Sequence, residues 1–179
     1  KSDTIKEALE NIKVLGRSEL VDNKLDLKIM IDYAHTPDSL ENILKTVKQY
    51  TIGRVICVFG CGGNRDKNKR QVMGEVSGRL ADYTIITSDN PRSEIPEVII
   101  KEIEAGTKKT KGNYECVIDR KEAIKKAISM ENKNDIVIIA GKGHEIYQEI
   151  QKEQIPFDER EIIKEIIDEI SKTNKKVKK

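Results

Sequence analysis

The sequence predicts an open, mostly parallel, doubly wound α/β sheet with helices on both faces, for three reasons. Short segments rich in β-branched residues alternate with segments whose apolar residues recur at helical spacing. The strand segments are apolar at nearly every position, as strands covered on both faces must be. Glycine and reactive polar residues gather in the loops that follow strands, while the opposite ends are plain.

Residues 1–13, with Ile5, Leu9 and Ile12 at helical spacing, read as a separate short helix. Leu27–Asp32 is the first strand. Thr36 is placed to cap the next helix and Pro37 to sit in its first turn, ahead of Leu40, Ile43, Leu44 and Val47 on one face. Arg54–Gly60 is a strand, and Val72, Met73, Val76 and Leu80 mark the helix after it. Asp82–Thr87 follows, then a helix with Ile99, Ile100 and Ile103, then a weaker strand at Tyr114–Ile118. Asp119 with Glu122 has the spacing of a capping box before Ala123, Ile124, Ala127 and Ile128. Asp135–Ala140 is the last parallel strand, and Ile146–Ile150 adds a small strand or hairpin. The closing helix opens at Asp158, with Glu161 three residues on and a Phe157–Ile162 hydrophobic staple. Ile162, Ile163, Ile166, Ile167 and Ile170 supply its buried face. Residues 172–179 read as a disordered basic tail.

Composition narrows the function. The 179 residues suit one domain that buries its own core. Lys+Arg number 33 and Asp+Glu 31, but five of the lysines (172, 175, 176, 178 and 179) lie in the last nine residues. Without them the balance is 28 against 31, which excludes a broad basic surface for nucleic acid. The lack of Trp removes the aromatic platform that single-strand binders use. No apolar run approaches the roughly 18 residues that span a bilayer. The three cysteines, 57, 61 and 116, follow no disulfide framework, so a reducing, cytoplasmic setting is expected.

Four loops carry the chemistry: Asp32–Asp38, Gly60–Asp66, Ser88–Arg92 and Gly141–Glu145. In a doubly wound sheet they converge at the carboxyl ends of the strands, which predicts one composite site. Gly60–Asp66 offers backbone N–H groups and Arg65 to an anion, but nothing in the chain matches a P-loop. His35 and His144, the only histidines, suggest a metal with Cys57 and Cys61; Cys57 lies inside a strand and no pair has compact ligand spacing, so no metal site is expected. A nucleophilic Cys61 has no visible base partner. Asp89 or Glu145 suits an ammonium and Arg65 or Arg92 a carboxylate, which together fit a zwitterionic amino acid. The bland reading of Ser88–Arg92 alone is an Asx-turn with an exposed arginine.

Taken together, DYAHTPD at 32–38, GCGGNRD at 60–66, DNPR at 89–92 and GKGHEIYQ at 141–148 resemble the motifs of the C-terminal domain of the Mur ligases, in that family's order. Gly16-Arg17-Ser18-Glu19 resembles the turn that enters this domain. Asn64 departs from the family's usual Asp. The resemblance implies a Rossmann-like fold over residues 16–171, with residues 1–15 as the end of a central ATPase domain plus hinge. It implies a bacterial, monomeric enzyme of peptidoglycan synthesis. In it ATP with Mg²⁺, held by the central domain, phosphorylates the D-glutamate of UDP-MurNAc-L-Ala-D-Glu, and an amino acid's amine attacks the acyl phosphate. Arg65, Asp89, Asn90, Pro91, Arg92, Gly141 and Glu145 are then expected to bind the amino acid. Arg17, Asp32, Tyr33 and His35 are expected to face the nucleotide. The Arg92 of DNPR implies meso-diaminopimelate, whose extra carboxylate distinguishes it from lysine. A lysine- or ornithine-adding relative is the alternative, as is a stand-alone binding module of this fold. No catalytic residue is assigned, and the chain alone is expected to be inactive.

Overall fold

The computed structural model describes residues 14–177 apart from 24, 26 and 131. The helix expected over 1–13 lies outside the described residues. In chain order the elements are β1 (Glu19–Val21), β2 (Lys28–Asp32), α1 (Pro37–Tyr50), β3 (Val55–Phe59), α2 (Asn68–Leu80), β4 (Tyr83–Ile86) and α3 (Pro96–Thr107). They continue with β5 (Asn113–Cys116), α4 (Arg120–Ser129), β6 (Ile136–Ala140), β7 (Tyr147–Ile150), β8 (Glu153–Pro156) and α5 (Glu159–Val177). The main sheet runs β1-β2-β6-β3-β4-β5. All its pairings are parallel except β1 with β2.

Strand alternation sorts the core into two layers. Val55, Cys57 and Phe59 of β3 point to one face and pack with Leu40, Leu44, Met73, Ile99 and Ile103 of α1, α2 and α3. Ile56 and Val58 point to the other and meet Ile124, Ile128, Ile163 and Ile166 of α4 and α5. Every residue of β3 and β6 is buried, which explains their unbroken apolar sequences. Thr36 caps α1 by accepting from the Ser39 N–H, and the Ser39 hydroxyl accepts from the Thr36 N–H in return. Asp119 caps α4 through the Glu122 N–H, and Asp158 accepts from the Arg160 N–H at the head of α5.

Three readings need correction. Strand β1 was not anticipated, because three residues are too few to show alternation. Val72 is exposed rather than on the buried face of α2; that helix instead meets α3 through Gly74, where a Cβ would strike the Ile103 carbonyl. Helix α5 runs on through Val177, so residues 172–177 are helical where a disordered tail was expected. No glycine or proline follows Pro156 to stop it.

Two buried arginines fix the loops at the carboxyl end of the sheet. Arg120 and Glu159 are both wholly buried and pair at 2.7 Å. The same guanidinium donates to the Ala140 carbonyl at 2.9 Å and the Ser88 carbonyl at 3.3 Å, the last residues before Gly141 and Asp89. Arg70 donates to Glu94 at 2.9 Å, Glu102 at 2.6 Å and the Gly62 carbonyl at 3.3 Å. Those bonds tie the loop after β3 to the start of α3. Hydrogen bonds from Arg70, helped by the Asn64 N–H and opposed by desolvation, lower the Glu94 carboxyl from 4.5 to about 2.

Removing one member of the Arg120–Glu159 pair strands the other charge. R120M should therefore cost about 3–5 kcal/mol in urea unfolding, and R120M/E159L should be less destabilised than R120M. A single variant within about 1 kcal/mol of wild type would contradict this account. Because the folded Glu94 carboxyl titrates below its unfolded counterpart, its contribution is complete above about pH 4.5 and lost as pH falls toward 2. In E94Q the urea midpoint should depend less steeply on pH across that window.

Candidate functional site

The carboxyl ends of β2, β3, β4 and β6 open into a cleft of about 500 Å³. Its lining includes Tyr33, His35, Arg65, Asp89, Asn90, Arg92, Gly141 and Glu145, so eight of the expected site residues converge. The loop after β3 closes on the loop after β4 through the Gly63 N–H, which donates to the Asn90 carbonyl at 2.9 Å. A side chain at Gly63 would meet the Pro91 carbonyl, so this approach needs glycine. Asn64, at φ 53°, takes the left-handed conformation that Asn tolerates well, and its Oδ1 accepts from the Ser93 N–H and hydroxyl.

Asp89 and Asn90 are both buried at the cleft floor. The Asn90 side chain donates to Glu145 Oε2 at 2.8 Å and accepts from Lys142 Nζ at 2.9 Å and from the Glu149 N–H at 3.0 Å. Asp89 Oδ1 is buried with no hydrogen-bond partner and lies 3.7 Å from Lys142 Nζ. The buried Lys142 ammonium thus balances the charge of this oxygen without hydrogen-bonding to it.

Arg92 stands at φ 52°, an unusual conformation for a residue with a side chain. Its backbone is held by β7, donating to the Glu149 carbonyl at 2.9 Å and accepting from the Gln151 N–H at 2.7 Å. The guanidinium donates to the Gly63 carbonyl at 2.9 Å and pairs with Glu149 at 2.8 Å through Nε. Nη2 forms none of these bonds. Arg65, exposed at the rim, is a second guanidinium on the same cleft. The site thus presents carboxylates at its floor and guanidinium groups at its edge.

The four residues assigned to the nucleotide divide. The Tyr33 and His35 rings meet at a 55° tilt with centroids 4.5 Å apart, and the Arg17 guanidinium lies 5.1 Å over the Tyr33 ring. Burial and the nearby Glu145 and Asp89 carboxylates raise the Tyr33 phenol above its usual value, which keeps its O–H a donor. Arg17 is exposed outside the cleft lining. Asp32 is buried, with its oxygens accepting from the Ser18 N–H at 2.7 Å and the Ala34 N–H at 2.8 Å. Those bonds make it the tie between the Gly16–Glu19 turn and the loop after β2. Pro91 is buried and does not line the cleft.

Sequence reading missed Lys142 and Glu149. Lys142 lies within a loop that was singled out, but a lysine between two glycines gives no sign that it is buried. Glu149 sits in a short exposed-looking strand. Cys61 is buried beside Met73, and desolvation pushes its thiol up to about 12, which leaves no thiolate to act as a nucleophile. Among the described residues no group of three or more His, Cys, Asp or Glu side chains is placed to hold a metal ion. No helix among them is long and apolar enough to cross a membrane.

Residues 16–143 match the family described as Mur ligase, glutamate ligase domain. The UDP-N-acetylmuramoyl-L-alanyl-D-glutamate--2,6-diaminopimelate ligase of Caldanaerobacter subterraneus is 54% identical over 94% of this chain and 35% of its own length. The Clostridium botulinum protein of the same name is 51% identical over 93% of this chain and 35% of its own. A solved structure of a ligase of that name superposes with a TM-score of 0.83 at 39% identity, over 90% of this chain and 33% of that one. The chain spans about a third of the length of the curated relatives it matches. With a family model covering 128 residues (143 − 16 + 1) of the 179 and two relatives above half identity, the chain belongs to the Mur ligase family.

Proposed function

We propose that the cleft is the amino-acid site of an ATP-dependent ligase that adds meso-diaminopimelate to UDP-MurNAc-L-Ala-D-Glu in the bacterial cytoplasm. The observation that carries this reading is the presence, in one cleft, of the Asp89 and Glu145 carboxylates together with the Arg65 and Arg92 guanidinium groups. The names of relatives at 51–54% identity support it. Asp89 and Glu145 receive an ammonium, while Arg92 and Arg65 take carboxylates. A substrate with two amino-acid ends offers a second carboxylate to a second guanidinium, which lysine does not.

ATP supplies the phosphoryl group that activates the acceptor carboxylate. The Tyr33–His35 pair with Arg17 is a fitting surface for a nucleotide: an aromatic face, a phenol donor and a cation. The described residues offer no cluster suited to Mg²⁺. The contribution of this chain is to bind and orient the amine through its cleft carboxylates and guanidinium groups. The site opens at the strand ends, so a neighbouring domain that closes over it would exclude water from the reaction.

In the full-length protein, calorimetric titration should show meso-diaminopimelate binding well above L-lysine. R92A should weaken the diaminopimelate complex roughly 10- to 100-fold, the loss expected for hydrogen bonds between charged groups, and change lysine binding little. Equal binding of the two amino acids by the wild type, or binding of neither, would overturn the assignment. Tighter lysine binding would indicate a lysine-adding ligase.

A further inference from the structure

Lys142 has no exposed surface, yet lysine is seldom wholly buried without partners that hold its charge. Its ammonium sits among cleft residues: Asn90 Oδ1 at 2.9 Å, Glu145 Oε2 at 3.3 Å, Asp89 Oδ1 at 3.7 Å and the Tyr147 ring at 5.7 Å. Being covered, it is not placed to touch a ligand itself. Its effect runs through its neighbours.

We propose that Lys142 is a positioning residue for the amino-acid substrate, orienting Asn90 and Glu145 and offsetting part of the Asp89–Glu145 charge. The proposal rests on reading the cleft as an amino-acid site. Two donors, Lys142 Nζ and the Glu149 N–H, converge on Asn90 Oδ1. An Asn90 amide turned the other way would set its own NH₂ against both, so its donor side faces Glu145 Oε2. Glu145 is thereby held by two donors on one oxygen. The charge balance follows the same geometry. Two carboxylates against one ammonium leave a single negative charge, and the adjacent Arg120–Glu159 pair adds none. One substrate ammonium completes the set.

The test is steady-state kinetics of K142M in the full-length protein, a substitution that keeps an unbranched apolar stem and removes the ammonium. The amino-acid KM should rise about tenfold or more, with kcat within about threefold and the ATP KM unchanged. The rise should appear for both meso-diaminopimelate and L-lysine, since the ammonium is common to them, whereas R92A affects only the first. An amino-acid KM within about twofold of wild type, or an equal rise in the ATP KM, would overturn the role. Should K142M not fold, ¹⁵N spectra of the wild-type chain decide. Added diaminopimelate should shift the Lys142 ammonium resonance together with the Gly141 and Asp89 amides. Amide shifts without an ammonium shift reject the positioning role alone. A wild type that binds neither amino acid rejects the cleft assignment, and the role of Lys142 with it.

Discussion

The buried Arg120 guanidinium is the interaction on which the site depends. It binds Glu159 at the head of α5, the carbonyl before Asp89 and the carbonyl before Gly141, and so joins three segments that are distant in sequence. The expense of burying a charge makes this join sharp: the guanidinium must find all its acceptors or leave a charge unmatched. Two loops of the cleft are therefore fixed from below before any ligand arrives. Arg70 does the same at the side, linking Gly62 to Glu94 and Glu102.

Above that floor, the cleft separates charge by position. Carboxylates lie deep, on loops that follow the central strands, and guanidinium groups lie at the edge. Lys142 keeps the deep end from accumulating two unopposed negative charges, while Glu149 engages Arg92 from the hairpin formed by β7 and β8. Such an arrangement pre-pays the ordering of its groups, so that binding energy is not consumed in assembling them.

Most of the fold was legible because its signals are local. Thr36, Pro37 and Asp119 announce helix starts through their own side chains, and the apolar runs of β3 and β6 announce strands buried on both faces. The four loops were also legible, since their glycines and polar residues are concentrated at strand ends. What stayed hidden depends on long-range placement. Nothing near Arg120 in sequence signals Glu159, 39 positions later. The burial of Lys142 is matched by Asn90, 52 positions earlier in the sequence. Asp32 was read toward the nucleotide from its motif, yet its oxygens accept backbone N–H groups, a use that no single-sequence pattern reveals.

The Arg92 backbone is hydrogen-bonded to the β7–β8 ribbon, which lies outside the six-stranded sheet. All four residues of β8 are exposed, and no core residue comes from it. The guanidinium at the cleft edge is therefore braced by a ribbon whose outer strand adds nothing to the hydrophobic core. Changes among the eight ribbon residues and their turn can re-aim that group while the hydrophobic layers beneath remain untouched. The aim of Arg92 and the integrity of the core are thus set by different residues.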